Sequence, residues 1–113
     1  MSPRVLVVDD DADVREVVAF QTRLLGHEVT VAATLDATLA LLESDPPSVD
    51  LVLTDLDLAG EDGRAVVTAC VARGLPVVAM SGAEPSPPLD VPTLAKPVEL
   101  AALSAAFDAA FGA

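Results

Sequence analysis

The stretch Val5-Leu6-Val7-Val8-Asp9-Asp10, residues 5–10, sets an apolar run of strand length directly before two carboxylates. Such a run is typical of a short strand that is buried on both faces, as in a parallel sheet. The carboxylates that follow can cap a helix. Residues at helical spacing come next, at Val14, Val17, Val18, Gln21, Leu24 and Leu25. The opening of the chain therefore predicts a strand, an acidic turn and a helix that ends at Gly26.

The rest of the chain repeats this alternation of β-branched runs and helical patterns. We expect further strands at His27–Ala32, Val49–Thr54, Pro76–Met80 and Thr93–Ala95. We expect further helices from a Thr34 cap to about Glu43, before Pro46-Pro47, from Arg64 to Arg73, and over the segment that carries Leu100, Leu103, Phe107 and Phe111. This alternation is the signature of an α/β domain with a doubly wound parallel sheet. The chain has room for one core, so we expect a single domain over residues 1–113.

The segment from Ser81 to Pro92 interrupts the alternation. Its four prolines remove backbone donors and disfavour helical angles. Residues 82–91 can span roughly 30 Å if they are extended, which is enough to cross between parallel strands. We therefore expect five strands but only four helices, with the fourth helix of a regular alternation absent or reduced to a loop.

The composition excludes several classes of protein. The formal net charge is −12, and such a surface repels nucleic acid phosphates and anionic membranes. The chain has no Trp or Tyr on which bases could stack. No apolar run approaches the roughly 20 residues of a membrane span, and the single cysteine, Cys70, fits a reducing compartment. We expect a cytoplasmic protein without nucleic acid or membrane partners.

Polar residues that can do chemistry follow the ends of four predicted strands. They are Asp9 and Asp10 after the first strand, Asp55 after the third, Ser81 after the fourth and Lys96 after the fifth. In a doubly wound sheet, ligands bind outside the carboxyl ends of the strands. Close carboxylates repel each other unless a cation offsets their charge. The three carboxylates therefore predict a magnesium site with positions left open for a phosphoryl group.

The other two side chains suit phosphoryl transfer. The Lys96 ammonium can reach a carboxylate or a phosphoryl oxygen, and the Ser81 hydroxyl can donate a hydrogen bond. With a metal ion they would stabilise a phosphoryl group in flight while Asp55 attacks in line. Each residue alone is weak evidence, because paired Asp residues often cap helices and Ser-Gly pairs often form turns. Because all of these residues follow strand ends of one predicted sheet, their combination favours a phosphoryl-transfer site over unrelated helix caps and turns.

In order and spacing these residues resemble the receiver domain of bacterial response regulators, the phosphoacceptor modules of two-component signalling systems. The resemblance extends from Arg4 to Phe111 and is carried by Val7–Asp10, Asp55–Gly63, Met80–Gly82 and Lys96-Pro97. It implies a flavodoxin-like fold with the strand order 2-1-3-4-5.

The resemblance also implies roles for the acidic residues. Asp55 would be the phosphoacceptor, and Asp10 and Asp55 would bind magnesium directly. Asp9 would contribute to the metal site through water. The backbone carbonyl of Asp57 would complete the protein ligands.

The resemblance also implies roles for Ser81 and Lys96, a phosphoryl donor and a downstream partner. Ser81 would turn toward the phosphoryl group, and Lys96 would precede a peptide bond that is often cis, at Pro97. A histidine kinase or a histidine phosphotransfer protein would donate the phosphoryl group, and the phosphorylated domain would bind an unknown downstream protein. The chain would catalyse only its own phosphorylation and dephosphorylation, and would otherwise not be an enzyme.

Three features differ from the family pattern. We expect the fourth helix to be absent or reduced, and Thr93 stands where an aromatic switch residue is expected. Asp57 lies two positions after the phosphoacceptor, and Ala59 stands where proline is common. We therefore do not expect a coupled hydroxyl–aromatic switch. We expect instead that ordering of the Ser81–Pro92 loop reports phosphorylation, and that Asp57 alters the lifetime of the phosphoryl group.

Two other functions are kept as alternatives. The Asp55-Leu56-Asp57 segment is similar to the Asp-x-Asp motif of haloacid-dehalogenase-like phosphatases, although that family has the motif after its first strand. A degenerate receiver that binds partners without phosphorylation would have the same fold. His27, the only histidine, and Cys70 are both interpreted as structural residues.

Overall fold

The computed structural model describes residues 3–44 and 48–112, and in these ranges strands and helices alternate as predicted. In chain order the elements are β1 (Arg4–Val8), α1 (Ala12–Leu24), β2 (Glu28–Ala32), α2 (Leu35–Leu42), β3 (Leu51–Asp55), β4 (Asp57–Leu58), β5 (Glu61–Asp62), α3 (Arg64–Ala72), β6 (Val77–Ser81), β7 (Thr93–Ala95) and α4 (Leu100–Phe111). The Thr34 hydroxyl accepts a hydrogen bond from the Ala37 N–H at 3.1 Å and so caps α2, as expected. The predicted helix stop at Pro46-Pro47 lies outside the described residues.

Five strands form one parallel sheet in the order β2-β1-β3-β6-β7. Numbered within this sheet alone, the order is 2-1-3-4-5, so the predicted fold class is confirmed. In β1, Val8 pairs with Ala32 on one side and with Thr54 on the other. In β3, Asp55 pairs with Met80 of β6. This register brings the carboxyl ends of the strands to one edge of the sheet.

Side chains of β1 alternate between two apolar layers, which is why helices cover both faces of the sheet. Val5 and Val7 pack in a layer with Val18 of α1 and the apolar residues of α4. Leu6 and Val8 pack in the opposite layer, with the apolar residues of α2 and α3. Residues Val5–Val8 have no solvent-exposed face, which matches their uninterrupted apolar sequence.

The residues interpreted as structural lie in apolar surroundings. Cys70 of α3 has no exposed surface, and burial raises the pKa of its thiol to about 11. The His27 ring packs edge-on against Phe107 of α4, with ring centroids 4.7 Å apart. The prediction that Cys70 belongs to the core is confirmed, and the packing of His27 fits a structural role.

Residues 82–92, between β6 and β7, contain no helix, so the expected loss of the fourth helix is confirmed. At the start of α3, the Arg64 guanidinium donates a hydrogen bond to the Pro87 carbonyl oxygen in the middle of this segment. The Lys96–Pro97 peptide bond is cis, as the resemblance implies, and Ser86–Pro87 is cis as well. A groove of about 540 Å³ runs along the segment, lined by Ser81, Glu84, Pro85, Pro88, Leu89 and Thr93 among others.

A small antiparallel hairpin, β4 paired with β5, is a feature that the sequence did not predict. Its turn residues, Ala59 and Gly60, have φ angles of 54° and 87°. The Asp57 carboxylate accepts a hydrogen bond from the Gly60 N–H at 3.3 Å and supports the turn. Strands this short and acidic carry no apolar alternation by which they could be recognised.

The predicted bounds of β3 were wrong by a small margin. The strand begins at Leu51 rather than at Val49 and runs to Asp55. Just before β3, the Asp50 carboxylate accepts a hydrogen bond from the Arg4 N–H at 2.7 Å. A side-chain oxygen therefore takes the place of the backbone acceptor that a longer β3 would offer to β1. In the described ranges, no helix is long and apolar enough to cross a bilayer.

Candidate functional site

Three carboxylates meet at the carboxyl edge of the sheet. Asp9, Asp10 and Asp55 each offer one carboxylate oxygen, and these oxygens all lie within 4.8 Å of one another. Asp9 is completely buried and Asp55 is 6% exposed, whereas Asp10 faces solvent. The predicted convergence of these residues follows directly from the pairing of β1 with β3.

Lys96 reaches the same cluster from the end of β7. Its Nζ donates a hydrogen bond to Asp9 Oδ2 at 2.8 Å and lies 3.2 Å from Asp55 Oδ1. One ammonium therefore pairs with two of the three carboxylates, and negative charge is left in excess. A cation that joined the cluster would offset this remaining charge and favour the ionised form of the carboxylates.

The surroundings shift the pKa values of two of these groups. Burial, together with the charge of Asp9, raises the pKa of Asp55, although the Asp57 N–H and Lys96 act in the opposite direction. Burial alone would lower the pKa of Lys96, but the hydrogen bond and the charge of Asp9, with a further contribution from Asp55, raise it. Lys96 therefore stays charged at neutral pH, whereas burial makes the Asp55 carboxylate easier to protonate than an isolated one.

The donor set of the cluster fits a hard divalent cation. All three side chains offer oxygen, which is the ligand type that magnesium prefers, and among residues 3–44 and 48–112 no histidine or cysteine joins the cluster. The exposed position of Asp10 leaves the cluster open to solvent on that side.

Backbone contacts fix the position of Asp55. Its Oδ1 accepts a hydrogen bond from the Asp57 N–H at 3.2 Å. Gly63 lies against the end of β3, and a Cβ added there would lie 2.1 Å from the Asp55 carbonyl oxygen and 2.7 Å from Leu56 Cα. Only glycine allows this approach. Gly63 closes the Asp55–Gly63 motif, but its place in the sequence does not predict this contact.

Asp9 is held with equal completeness. Its Oδ1 accepts a hydrogen bond from the Asp11 N–H at 3.0 Å, and its backbone oxygen accepts one from Arg15 Nη1 at 2.9 Å. Asp11 in turn caps α1. Arg15 was not predicted as a site residue, because its only signal in the sequence is a basic residue early in the helix that follows the acidic turn.

The hydroxyl of Ser81 and the side chain of Asp57 form their hydrogen bonds outside the carboxylate cluster, and the predicted ligand of Asp57 is its backbone carbonyl. The Ser81 hydroxyl donates a hydrogen bond to the Ala83 carbonyl at 2.5 Å and accepts one from the Ala83 N–H at 3.2 Å. The Asp57 side chain is exposed and accepts its hydrogen bond from Gly60. The structure thus brings Asp9, Asp10, Asp55 and Lys96 together, whereas the Ser81 hydroxyl is bonded to the loop and the Asp57 side chain to the hairpin.

Comparison with known proteins assigns the chain to a family. Residues 5–90, well over half of the chain, match the response regulator receiver domain. The chain belongs to this family. It is therefore a receiver domain of the kind found in two-component signalling, as the resemblance implied.

The receiver domain is similar in sequence to regulatory proteins of mycobacteria. It is 40% identical to the transcriptional regulatory protein PrrA of Mycobacterium leprae over 82 residues, which cover 71% of this chain and 34% of that protein. It is 39% identical to the sensory transduction protein RegX3 of Mycobacterium tuberculosis over 75 residues, which cover 66% of this chain and 32% of that protein. The chain thus spans about a third of the length of these relatives.

Solved structures share the fold over almost the whole chain. The receiver domain of the hybrid histidine kinase CckA is 32% identical, with a TM-score of 0.78 over 95% of this chain and 97% of that one. The receiver domain of the sensor histidine kinase PA1611 from Pseudomonas aeruginosa PAO1 is 22% identical, with a TM-score of 0.83 over 100% of both chains. That structure has a magnesium ion coordinated in its active site cleft.

Proposed function

We propose that this receiver domain accepts a phosphoryl group on Asp55, from a histidine kinase or a histidine phosphotransfer protein, in a magnesium-dependent reaction. The observation that carries the proposal is the position of Asp55 within 4.8 Å of two further carboxylates and beside Lys96. Of the three carboxylates, Asp55 alone is both in contact with Lys96 and not fully buried. A phosphoryl donor can therefore approach it.

Four residues would bind magnesium at this site. Asp10 and Asp55 would hold magnesium directly, Asp9 would hold it through water, and the Asp57 backbone carbonyl would complete the protein ligands. Magnesium, when bound, supplies positive charge that offsets these carboxylates and the phosphoryl oxygens. The known presence of magnesium in the PA1611 receiver supports this choice of ion.

The transfer itself would be an in-line displacement at phosphorus. An oxygen of the Asp55 carboxylate forms the new O–P bond while the N–P bond of the donor phosphohistidine breaks, and the histidine nitrogen leaves with the electron pair. Lys96, which now contacts Asp55 Oδ1 at 3.2 Å, would then pair with the phosphoryl oxygens. The Ser81 hydroxyl would exchange its bond to the Ala83 carbonyl for one to the phosphoryl group.

The phosphorylated chain would act by binding another protein. We expect a cytoplasmic protein that forms a single domain over residues 1–113 and is not an enzyme beyond its own phosphorylation and dephosphorylation. The net charge of −12 favours a protein partner with a basic surface and disfavours nucleic acid and membranes. The downstream partner would sense residues 82–92, which replace the fourth helix beside Ser81.

The degenerate receiver is the main alternative, and the Asp-x-Asp phosphatase is a weaker one. The first predicts no covalent phosphorylation. The second predicts continuous turnover of a phosphate ester and requires Asp57 as an acid or base, yet the Asp57 carboxylate faces solvent and bonds to Gly60. The position of Lys96 and three carboxylates together favours the phosphoacceptor over both.

The test is incubation with acetyl phosphate and magnesium, followed by intact-mass measurement. Wild type should gain an alkali-labile phosphoryl adduct, and the gain should disappear in EDTA and in Asp55→Asn. Asp108→Asn removes an exposed carboxylate of α4 and serves as the matched control, which should be phosphorylated like wild type. A wild-type chain that gains no adduct would refute the proposal, and an adduct that persists in Asp55→Asn would refute the choice of Asp55.

A further inference from the structure

We infer that Arg15 is a positioning residue for the divalent-cation site: by holding the backbone carbonyl of Asp9, it sets the direction in which Asp10 presents its carboxylate. The inference rests on the proposed magnesium site and adds to it a residue that does not touch the metal. Arg15 Nη1 donates a hydrogen bond to the Asp9 carbonyl oxygen at 2.9 Å, and the Arg15 side chain is half-buried.

The backbone of Asp9 is held on both sides. Its N–H donates to the Ala32 carbonyl oxygen at 3.2 Å, and its carbonyl oxygen accepts from Arg15. The carboxylate of Asp9 is fixed independently, by the Asp11 N–H and by Lys96. Loss of Arg15 would therefore release the peptide group that joins Asp9 to Asp10, while the Asp9 side chain would keep both of its own contacts.

Asp10 depends on that peptide group more than its neighbours do. Across residues 3–44 and 48–112, no side chain or backbone group donates a hydrogen bond to the Asp10 carboxylate, and the residue faces solvent. Its carboxylate is nevertheless within 4.8 Å of those of Asp9 and Asp55. Its position therefore depends on the backbone, which Arg15 holds at the Asp9 carbonyl oxygen before Asp10 and the Asp9 carboxylate holds at the Asp11 N–H after it. Groups that orient metal ligands in this way typically change metal affinity by 10- to 100-fold when they are removed.

Arg15 is also a positive charge beside the cluster, and this second property makes the inference testable. If Arg15 acted only through its charge, its removal would strengthen the binding of a cation, because a repulsion would be lost. If it positions Asp10, its removal weakens binding despite the lost repulsion. The two roles predict opposite signs.

The experiment is a titration of the full chain with MgCl₂ at physiological salt. The amide chemical shifts of Asp10 and Asp55 in nitrogen-15 NMR spectra monitor the binding of magnesium. Arg15→Met is expected to weaken magnesium binding on the order of 10-fold, with metal-free shift changes concentrated at residues 9–11. Arg15→Gln provides a second neutral side chain, too short to span the same gap, should the first variant not fold. Arg15→Lys retains charge and a donor and should recover part of the affinity.

Arg23→Met is the matched control, because Arg23 lies in the last turn of the same helix and its loss changes the net charge equally. It should bind magnesium like wild type. Equal or tighter binding in both neutral Arg15 variants would overturn the inference while leaving the magnesium site intact. A wild-type chain that shows no response to magnesium would instead overturn the proposed function. A fall in thermal stability in EDTA without any change in affinity would show a purely structural Arg15, and would also overturn it.

Discussion

Lys96 Nζ donates a hydrogen bond to Asp9 Oδ2 at 2.8 Å and so joins the end of the last strand to the end of the first. Asp9 is completely buried, and Lys96 also lies 3.2 Å from Asp55 Oδ1. The ammonium thus offsets part of the charge of two carboxylates before any metal binds. It also stays within reach of the oxygen to which we expect a phosphoryl group to be added.

The first prediction concerns the charge of Lys96. Lys96→Met retains the apolar stem but leaves buried Asp9 without its cation, so we expect a loss of about 2 kcal/mol in the free energy of unfolding, less than for a fully buried pair. Urea unfolding followed by circular dichroism in EDTA measures it. Magnesium should restore more stability to the variant than to wild type, and phosphorylation should slow by roughly 100-fold. A variant as stable and as reactive as wild type would show that the ion pair is incidental.

The second prediction concerns the contact of Gly63 with the end of β3. In Gly63→Ala the new methyl group would meet the Asp55 carbonyl oxygen, so we expect destabilisation of about 3 kcal/mol and a lower rate of phosphorylation. Gly82→Ala is the matched control, because a Cβ at Gly82 meets nothing within 4 Å. The two unfolding curves, measured side by side, decide the matter. Equal stability of the two variants would contradict the close approach.

The third prediction concerns the segment that replaces the fourth helix. Ser81 and Arg64 both bond to backbone oxygens of this segment, at Ala83 and Pro87. We expect phosphorylation, or a stable phosphoryl mimic, to change amide hydrogen exchange in residues 82–92 more than elsewhere outside the site. Arg64→Met should increase exchange around Pro87 before phosphorylation. Unchanged exchange of the segment on phosphorylation would disprove its role as the reporter.

The fourth prediction concerns pH and the pair between Arg4 and Asp50. Hydrogen bonds from Arg4 lower the pKa of Asp50 below its usual value. Ionised Asp50 therefore stabilises the folded state at pH values above the ordinary Asp pKa of about 4. This contribution to stability is lost as the pH falls through the lowered pKa of the folded state.

Asp50→Asn should accordingly lose stability relative to wild type at neutral pH, and the difference should shrink as the pH falls from about 6 to about 2. The effect will be small, because both side chains are partly exposed. Urea unfolding across this pH range provides the comparison, with Asp108→Asn as the control for the loss of one charge. A difference that grows on acidification would have the wrong sign.

Much of the fold could be predicted because local pattern and topology agree. The apolar run Val5–Val8 has no polar face, which requires helices on both sides of the sheet, and the alternation of elements then fixes a parallel order. The prolines after Ser81 excluded a helix by simple stereochemistry. The acidic cluster followed as well, because Asp9, Asp10 and Asp55 stand at the ends of strands that pair.

The sequence could not predict specific contacts between residues that are brought together only by the fold. The role of Gly63 depends on how closely α3 approaches β3, and that of Arg15 on a side chain that folds back to a carbonyl. The hairpin of β4 and β5 lacks an apolar pattern. Ser81 was placed correctly at a strand end, but the direction of its hydroxyl toward Ala83 depends on a rotamer choice that no sequence pattern records.

The most direct test of the central claim is to locate the phosphoryl group itself. Borohydride reduces an aspartyl phosphate to homoserine, so peptide mass spectrometry of the reduced chain, after treatment with acetyl phosphate and magnesium, identifies the residue that carried it. We predict homoserine at position 55, absent when EDTA replaces magnesium. Homoserine at another aspartate, at Asp57 for instance, or an equal yield without magnesium would contradict the account.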